Sequence, residues 1–123
     1  MKITGIRTFI YEAWWRNWLF VKVDTDAGIS GLGEASLQGL NKAVEIAVHN
    51  LEREYFLGKD PRQIQKHWAN VYRDSWFHQS HVPLAALSGI EIALWDILGK
   101  SLNVPIYQLL GGATRERIKV YNN

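Results

Sequence analysis

An α+β domain, a three-stranded antiparallel meander followed by a helical bundle, is predicted, and three observations predict it. Residues 2–34 alternate in strand fashion around turn residues, residues 40–100 switch to a helical repeat of apolar positions, and a lone alternating segment follows at 117–123. A run of strands followed by a run of helices predicts an α+β arrangement rather than a βαβ one.

Each element has its own signal. In residues 2–11, Ile3, Phe9 and Tyr11 share one parity and Ile6 and Ile10 the other, so a strand with a shift or bulge is expected. Residues 17–24 are rich in β-branched and aromatic types, Asp24-Thr-Asp-Ala-Gly28 supplies turn chemistry, and residues 29–34 return. Together they give a three-stranded antiparallel meander. The period then changes. Leu40, Ala43, Val44, Ala47, Leu51 and Tyr55 fall on one helical face, with Lys42, Glu45, His49, Glu52 and Arg53 outside it. Gly58 is a stop. Asp60-Pro-Arg-Gln63 reads as a capping acid, a proline at the first helical position and a glutamine three residues after the cap. The helix it opens carries Ile64, Trp68, Val71 and Tyr72 as a buried stripe, and residues 74–82 read as a loop. Pro83 opens a third helix, apolar at Leu84, Leu87, Ile90, Leu94, Ile97 and Leu98, with Glu91, Asp96 and Lys100 on its polar side. Asp96 and Lys100 are spaced as an i,i+4 pair. Pro105 marks a break, a helical turn follows, and Gly111-Gly112 stops it. The last segment needs a strand partner that the sequence does not supply, which predicts the front third of a larger enzyme.

Composition narrows the function classes. The 123 residues give room for one domain with a modest core. A net charge of +2, with no basic stripe, argues against nucleic acid as a partner. The absence of cysteine excludes disulfides and thiolate metal ligands and fits a reducing, cytoplasmic compartment. No apolar run is expected to reach the roughly 20 residues of a membrane span, and the alternating start shows no leader.

Met1-Lys-Ile-Thr4, Gly31-Leu-Gly-Glu34, Asp60-Pro61, Ser88-Gly-Ile90, Ala93-Leu-Trp-Asp96, Pro105-Ile-Tyr-Gln-Leu-Leu-Gly-Gly112 and Ile118-Lys-Val-Tyr121 stand in an order and spacing that resemble a known family. It is the mandelate racemase/muconate lactonizing branch of the enolase superfamily, and the nearest likeness is to galactonate- and mannonate-type sugar-acid dehydratases. The resemblance implies a capping domain with its linking helix over residues 1–115. Residues 116–123 would then be the first strand of a (β/α) barrel whose remainder is absent. It also implies a magnesium-dependent dehydratase that removes the proton next to a carboxylate and expels a β-hydroxyl. The magnesium ligands and acid/base groups would lie on later barrel strands, with none in this chain, so the 123 residues alone are expected to be inactive. The cap would close over the substrate, exclude water and read its distal end. A sugar-acid substrate, the rest of the barrel and further copies in a homo-oligomer are the implied partners. Racemisation, epimerisation or cycloisomerisation through the same intermediate is the nearer alternative, and a non-catalytic oligomeric binding module the more distant one.

Candidate substrate-binding residues follow. Tyr11–Trp18 connects the first two strands where the family has its specificity loop, and it carries Trp14, Trp15 and Arg16. Aromatic faces suit the C–H side of a sugar acid, and a guanidinium suits a hydroxyl or a second carboxylate. Packing in the cap core or at a subunit contact is the plainer role for Trp14 or Trp18. Gln38 stands where mannonate dehydratases place a substrate-contacting asparagine, and Asn123 where they have a histidine. Both departures argue against mannonate. Tyr121, of the same parity as Asn123, is a further pocket candidate. His78-Gln-Ser-His81 lacks a nearby acid and a fixed face, so it reads as a substrate-adjacent or interface loop rather than a metal site. Asp24-Thr-Asp26 is turn chemistry, Gly28–Gly33 a glycine-rich strand, and Glu34 a structural anchor.

Overall fold

The computed structural model describes residues 1–74 and 80–121. The expected meander is present: β1 (Ile3–Ala13), β2 (Arg16–Thr25) and β3 (Ser30–Glu34) form one antiparallel sheet in the order β1-β2-β3. The register slips between Ile3 and Gly5, where the change of parity places the bulge. It lets Ile3 and Ile6 both face the core, while Phe9 and Tyr11 stay exposed on the far side. At the β2–β3 turn, Thr25 Oγ1 donates to the Ile29 carbonyl at 2.6 Å and Gly28 takes a φ of 72°. Asp24 accepts two bonds from Arg7, at 2.8 and 3.1 Å.

The first helix departs from the simple repeat. α1 (Asn41–Leu51) runs into a π-helical turn, Glu52–Phe56, closed by Leu57 N–H donating to the Glu52 carbonyl at 2.9 Å. The buried stripe is Val44, Val48, Leu51 and Phe56, whereas Leu40 and Ala43 are exposed and Tyr55 is only half-buried. Glu52 and His49, expected on the outer side, turn toward β1. Glu52 Oε1 accepts from Ile6 N–H at 2.6 Å, and Glu52 Oε2 lies 3.1 Å from His49 Nδ1.

α2 (Ile64–Asp74) starts later than the capping pattern indicates. Asp60 does not cap it. The Asp60 carboxylate accepts from Arg62 N–H at 3.0 Å in a local turn, and the first helical bond runs from His67 N–H to the Gln63 carbonyl. His67 takes the inner position given to Trp68 by periodicity, packed 5.2 Å from the Phe56 ring with Nε2 2.8 Å from the Asp60 carbonyl. Trp68 and Tyr72 stack on each other, 4.6 Å apart, at the exposed margin.

The Arg62 side chain, helped by Arg62 N–H, holds the Asp60 carboxyl at about 2, below its ordinary 3.8. A depressed folded-state pKa stabilises the fold above the unfolded value and is lost as pH falls through the folded one. Solvent screening at this partly exposed pair leaves about 1 kcal/mol of that stabilisation. Asp60→Asn is therefore expected to lower the urea midpoint at pH 7. The deficit should shrink as pH falls from about 4 toward about 2.

α3 (His81–Leu102) begins two residues before Pro83, which sits in its first turn where no intrahelical N–H is needed. It packs on β2, β3, α1 and α2. Leu87, Ile90, Leu94 and Ile97 are buried as expected, whereas Leu84 is exposed and Leu98 half-buried. The remaining inner positions are small: Ala86, Gly89, Ala93 and Gly99. They bring two backbones together. A Cβ on Gly33 would lie 1.9 Å from the Gly89 carbonyl oxygen, and one on Gly31 1.9 Å from that of Ala93. Asp96 Oδ2 accepts from Leu32 N–H at 2.9 Å and from Lys100 Nζ at 2.7 Å, so the expected i,i+4 pair also fastens β3. By length and composition α3 is apolar enough to cross a membrane, contrary to the sequence expectation; here its inner side forms the centre of the domain core.

Asn103, in the left-handed region at φ 55°, ends α3, and α4 (Ile106–Leu109) is the short turn expected after Pro105. It closes with Gly112 N–H on the Tyr107 carbonyl at 2.9 Å. Residues 113–121 are exposed and carry no helix or strand, and residues 117–121 pair with nothing among the described residues.

Candidate functional site

The β1–β2 connection is shorter than an open loop. Ala13 pairs with Arg16, leaving Trp14-Trp15 as a two-residue hairpin tip. Such tips require positive φ and normally recruit glycine or asparagine. Trp14 adopts φ 29° and is fully exposed, a conformation disfavoured for so bulky a residue.

Beside the tip lies a cavity of about 470 Å³. Trp14, Trp15 and Arg16 line it from the hairpin, and Gln38 and Asn41 from the loop and helix start after β3. Four of the five candidate residues named from the sequence are thus brought together. Asn123 and His78 lie outside the described residues. Tyr121 is exposed, and His81 is the exposed first residue of α3.

Arg16 is held by aromatic faces. Its Cζ lies 3.9 Å from the Trp18 ring centre and 5.3 Å from that of Trp15, and Trp18 in turn stacks on Phe20. Alternation along β2 explains this: Leu19 is buried, so Trp18 and Arg16 share the outer face of the sheet. Stacking engages the face of a guanidinium and leaves its in-plane N–H groups available to an acceptor. Among the described residues Arg16 has no carboxylate partner. Lys42, another lining residue, is paired with Glu45 at 3.1 Å.

The other wall is fastened to β2 by main-chain and side-chain bonds from the segment after β3. Leu19 N–H donates to Ser36 Oγ at 2.9 Å, and the Leu19 carbonyl accepts from Ala35 N–H at 2.8 Å. Glu34 Oε1 accepts from Ser36 N–H at 2.9 Å, a local bond that shapes the start of this loop. Asn41, which sequence reasoning passed over, is buried and bonds both walls. Its only signal was a polar residue at the onset of a helical repeat.

Among the described residues no three His, Asp or Glu side chains are placed to hold a metal ion. The magnesium implied by resemblance finds no ligand set in them, and no chemical step is assigned to it. A second cavity, of about 390 Å³ and mainly apolar, lies between α1 and the start of α3. It borders Asp74 and Ser80, next to residues that are not described, and holds none of the candidate residues.

Residues 13–111 match the N-terminal domain described as mandelate racemase / muconate lactonizing enzyme. The D-galactonate dehydratase of Variovorax paradoxus (strain S110) is 44% identical over 122 residues, covering 99% of this chain and 31% of that protein. The D-galactonate dehydratase of Xanthomonas campestris pv. campestris (strain B100) is 48% identical over 121 residues, covering 98% and 31%. A solved enolase from Agrobacterium radiobacter with bound sodium and L-malate is 37% identical with a TM-score of 0.90, covering 98% of this chain and 30% of its own. Another, from Pantoea ananatis with bound D-gluconate and magnesium, is 34% identical with a TM-score of 0.85, covering 93% and 28%. The chain therefore spans about a third of the length of the curated relatives it matches.

Proposed function

The chain belongs to the mandelate racemase/muconate lactonizing enzyme family, and on that premise we propose that it is the substrate-reading cap of a cytoplasmic, magnesium-dependent acid-sugar dehydratase. In this reading residues 1–115 are the cap and its linking helix, and residues 116–123 begin the barrel. The barrel removes the proton next to the substrate carboxylate and expels the hydroxyl on the adjoining carbon as water, leaving a 2-oxo-3-deoxy acid. The metal and the acid/base groups belong to that part of the protein.

The observation that carries the reading is Arg16, stacked on Trp18 without a carboxylate partner among the described residues, beside two exposed tryptophans and the Gln38 amide. Hydroxyls of an acid sugar need donors and acceptors, its C–H face suits an aromatic surface, and a terminal oxygen suits a guanidinium edge. A tryptophan held at positive φ fits the same role, since backbone strain collects at ligand-binding sites. The names of the relatives support dehydration over racemisation.

The test uses the full-length protein with D-galactonate and magnesium, reading the 2-oxo acid by its semicarbazone absorbance. Arg16→Ala is expected to raise KM about 10-fold with kcat changed less than about 3-fold, the pattern of a contact equally strong in ground and transition states. Solvent deuterium entering substrate with no oxo acid formed would favour a racemase or epimerase. An unchanged KM would remove Arg16 from the site.

A further inference from the structure

The β2–β3 ladder ends at the Phe20–Glu34 pair, yet β2 continues toward the hairpin tip with groups that still need partners. Main-chain and hydroxyl bonds from Ala35 and Ser36 serve Leu19, after which the loop swings away. The next group on that side is the Asn17 carbonyl. Asn41 Nδ2 donates to it at 3.0 Å, and Asn41 Oδ1 accepts from Leu37 N–H at 2.8 Å. One buried carboxamide thus stands in for a missing ladder rung.

We propose that Asn41 is a positioning residue for substrate specificity, setting the distance between the Gln38 wall and the Trp14–Arg16 tip. Gln38 sits in a tight turn between Leu37 and Asn41, with Gly39 at φ 77° and Leu40 N–H on the Leu37 carbonyl at 2.8 Å. Asn41 fastens one end of that turn directly and is itself the other end. It is also the first residue of α1, whose Val44 and Val48 are fully buried, so the turn is mounted on the core. Its second bond reaches the neighbour of Arg16. Gln38 and Arg16 are therefore linked through Leu37, Asn41 and Asn17, although no direct bond joins them. Neither bond caps an N–H of α1, so starting the helix does not account for them.

Asn41→Asp separates the two roles. Aspartate keeps the acceptor for Leu37 N–H and suits a helix start, but it loses the donor and sets a carboxylate oxygen against the Asn17 carbonyl. The inference rests on the cavity taking an acid sugar, as proposed above. In the full-length protein with D-galactonate, the variant is expected to raise KM about 5-fold with kcat within about 2-fold. In a Gln38→Ala background the same change should move KM less than about 2-fold, because the wall it positions is gone. A wild-type KM in Asn41→Asp, or equal effects in both backgrounds, would overturn the inference. If the parent protein turns over no acid sugar, the functional reading fails on its own, and ligand-free amide exchange still decides the role of Asn41. The Arg16–Leu19 amides should then exchange about 5-fold faster in the variant while Leu37 stays protected. Unchanged exchange at the hairpin would count against the tether.

Discussion

Gly33→Ala is expected to cost the domain about 3 kcal/mol or more, enough to leave little folded protein. The added methyl would stand 1.9 Å from the Gly89 carbonyl oxygen and 3.0 Å from Ala93 N, both rigid backbone atoms of α3. Neither can rotate away as a side-chain end would. Relief requires β3 and α3 to separate, which opens the core at Val21, Ile90 and Ala93. Gly28→Ala is the control. Its Cβ would meet nothing within 4 Å, and only the left-handed φ of 72° opposes it, at about 1 kcal/mol. Soluble yield and urea midpoint of the two variants check the order. Equal losses would mean that the close approach of β3 to α3 does not set the cost at Gly33.

Phe56→Ala should be the largest truncation effect, about 3–5 kcal/mol. Phe56 is fully buried and packs against His67, in a region shared with Ile64, Leu87 and Leu94. Its neighbour separates the π turn from an ordinary helix. Had α1 continued with a 3.6 repeat, Tyr55 would lie inward and Phe56 outward. Tyr55→Ala is accordingly expected to cost only about 1 kcal/mol. Denaturant unfolding of both variants, followed by circular dichroism, gives the comparison, and reversed magnitudes would contradict the π turn.

That turn also shows where the sequence was legible. The alternation of Leu19, Val21 and Val23 against Trp18, Phe20 and Lys22 announces a sheet with one inner face, and the parity change between Ile3 and Ile6 announces the bulge. Periodicity is a local signal and survives without tertiary context. It fails where one residue is inserted: counting on past Leu51 selects Tyr55, while the i→i+5 bond at Glu52 selects Phe56. It fails again where small residues make the contact, because Gly31, Gly33 and Gly89 carry no hydrophobic weight although α3 meets β3 through them. Trp68 lost the inner position to His67 because a hydrogen bond to the Asp60 carbonyl satisfies the imidazole there. The hairpin tip and Gln38 were each conspicuous as residue types. Their shared cavity was not, since it depends on how Asn17 and Asn41 meet across 24 positions.

The two helix-borne carboxylates on the sheet have a consequence for how the domain behaves among its own copies. An unpaired strand amide is a template on which another extended chain can grow. β1 and β3 are the outer strands, and each has one amide already taken, Ile6 by Glu52 and Leu32 by Asp96. An incoming strand would have to displace a charged partner anchored in a folded helix before it gained its first ladder bond. The sheet thus carries its own protection against runaway strand addition on both flanks, and the residues that provide it lie apart from the candidate cavity.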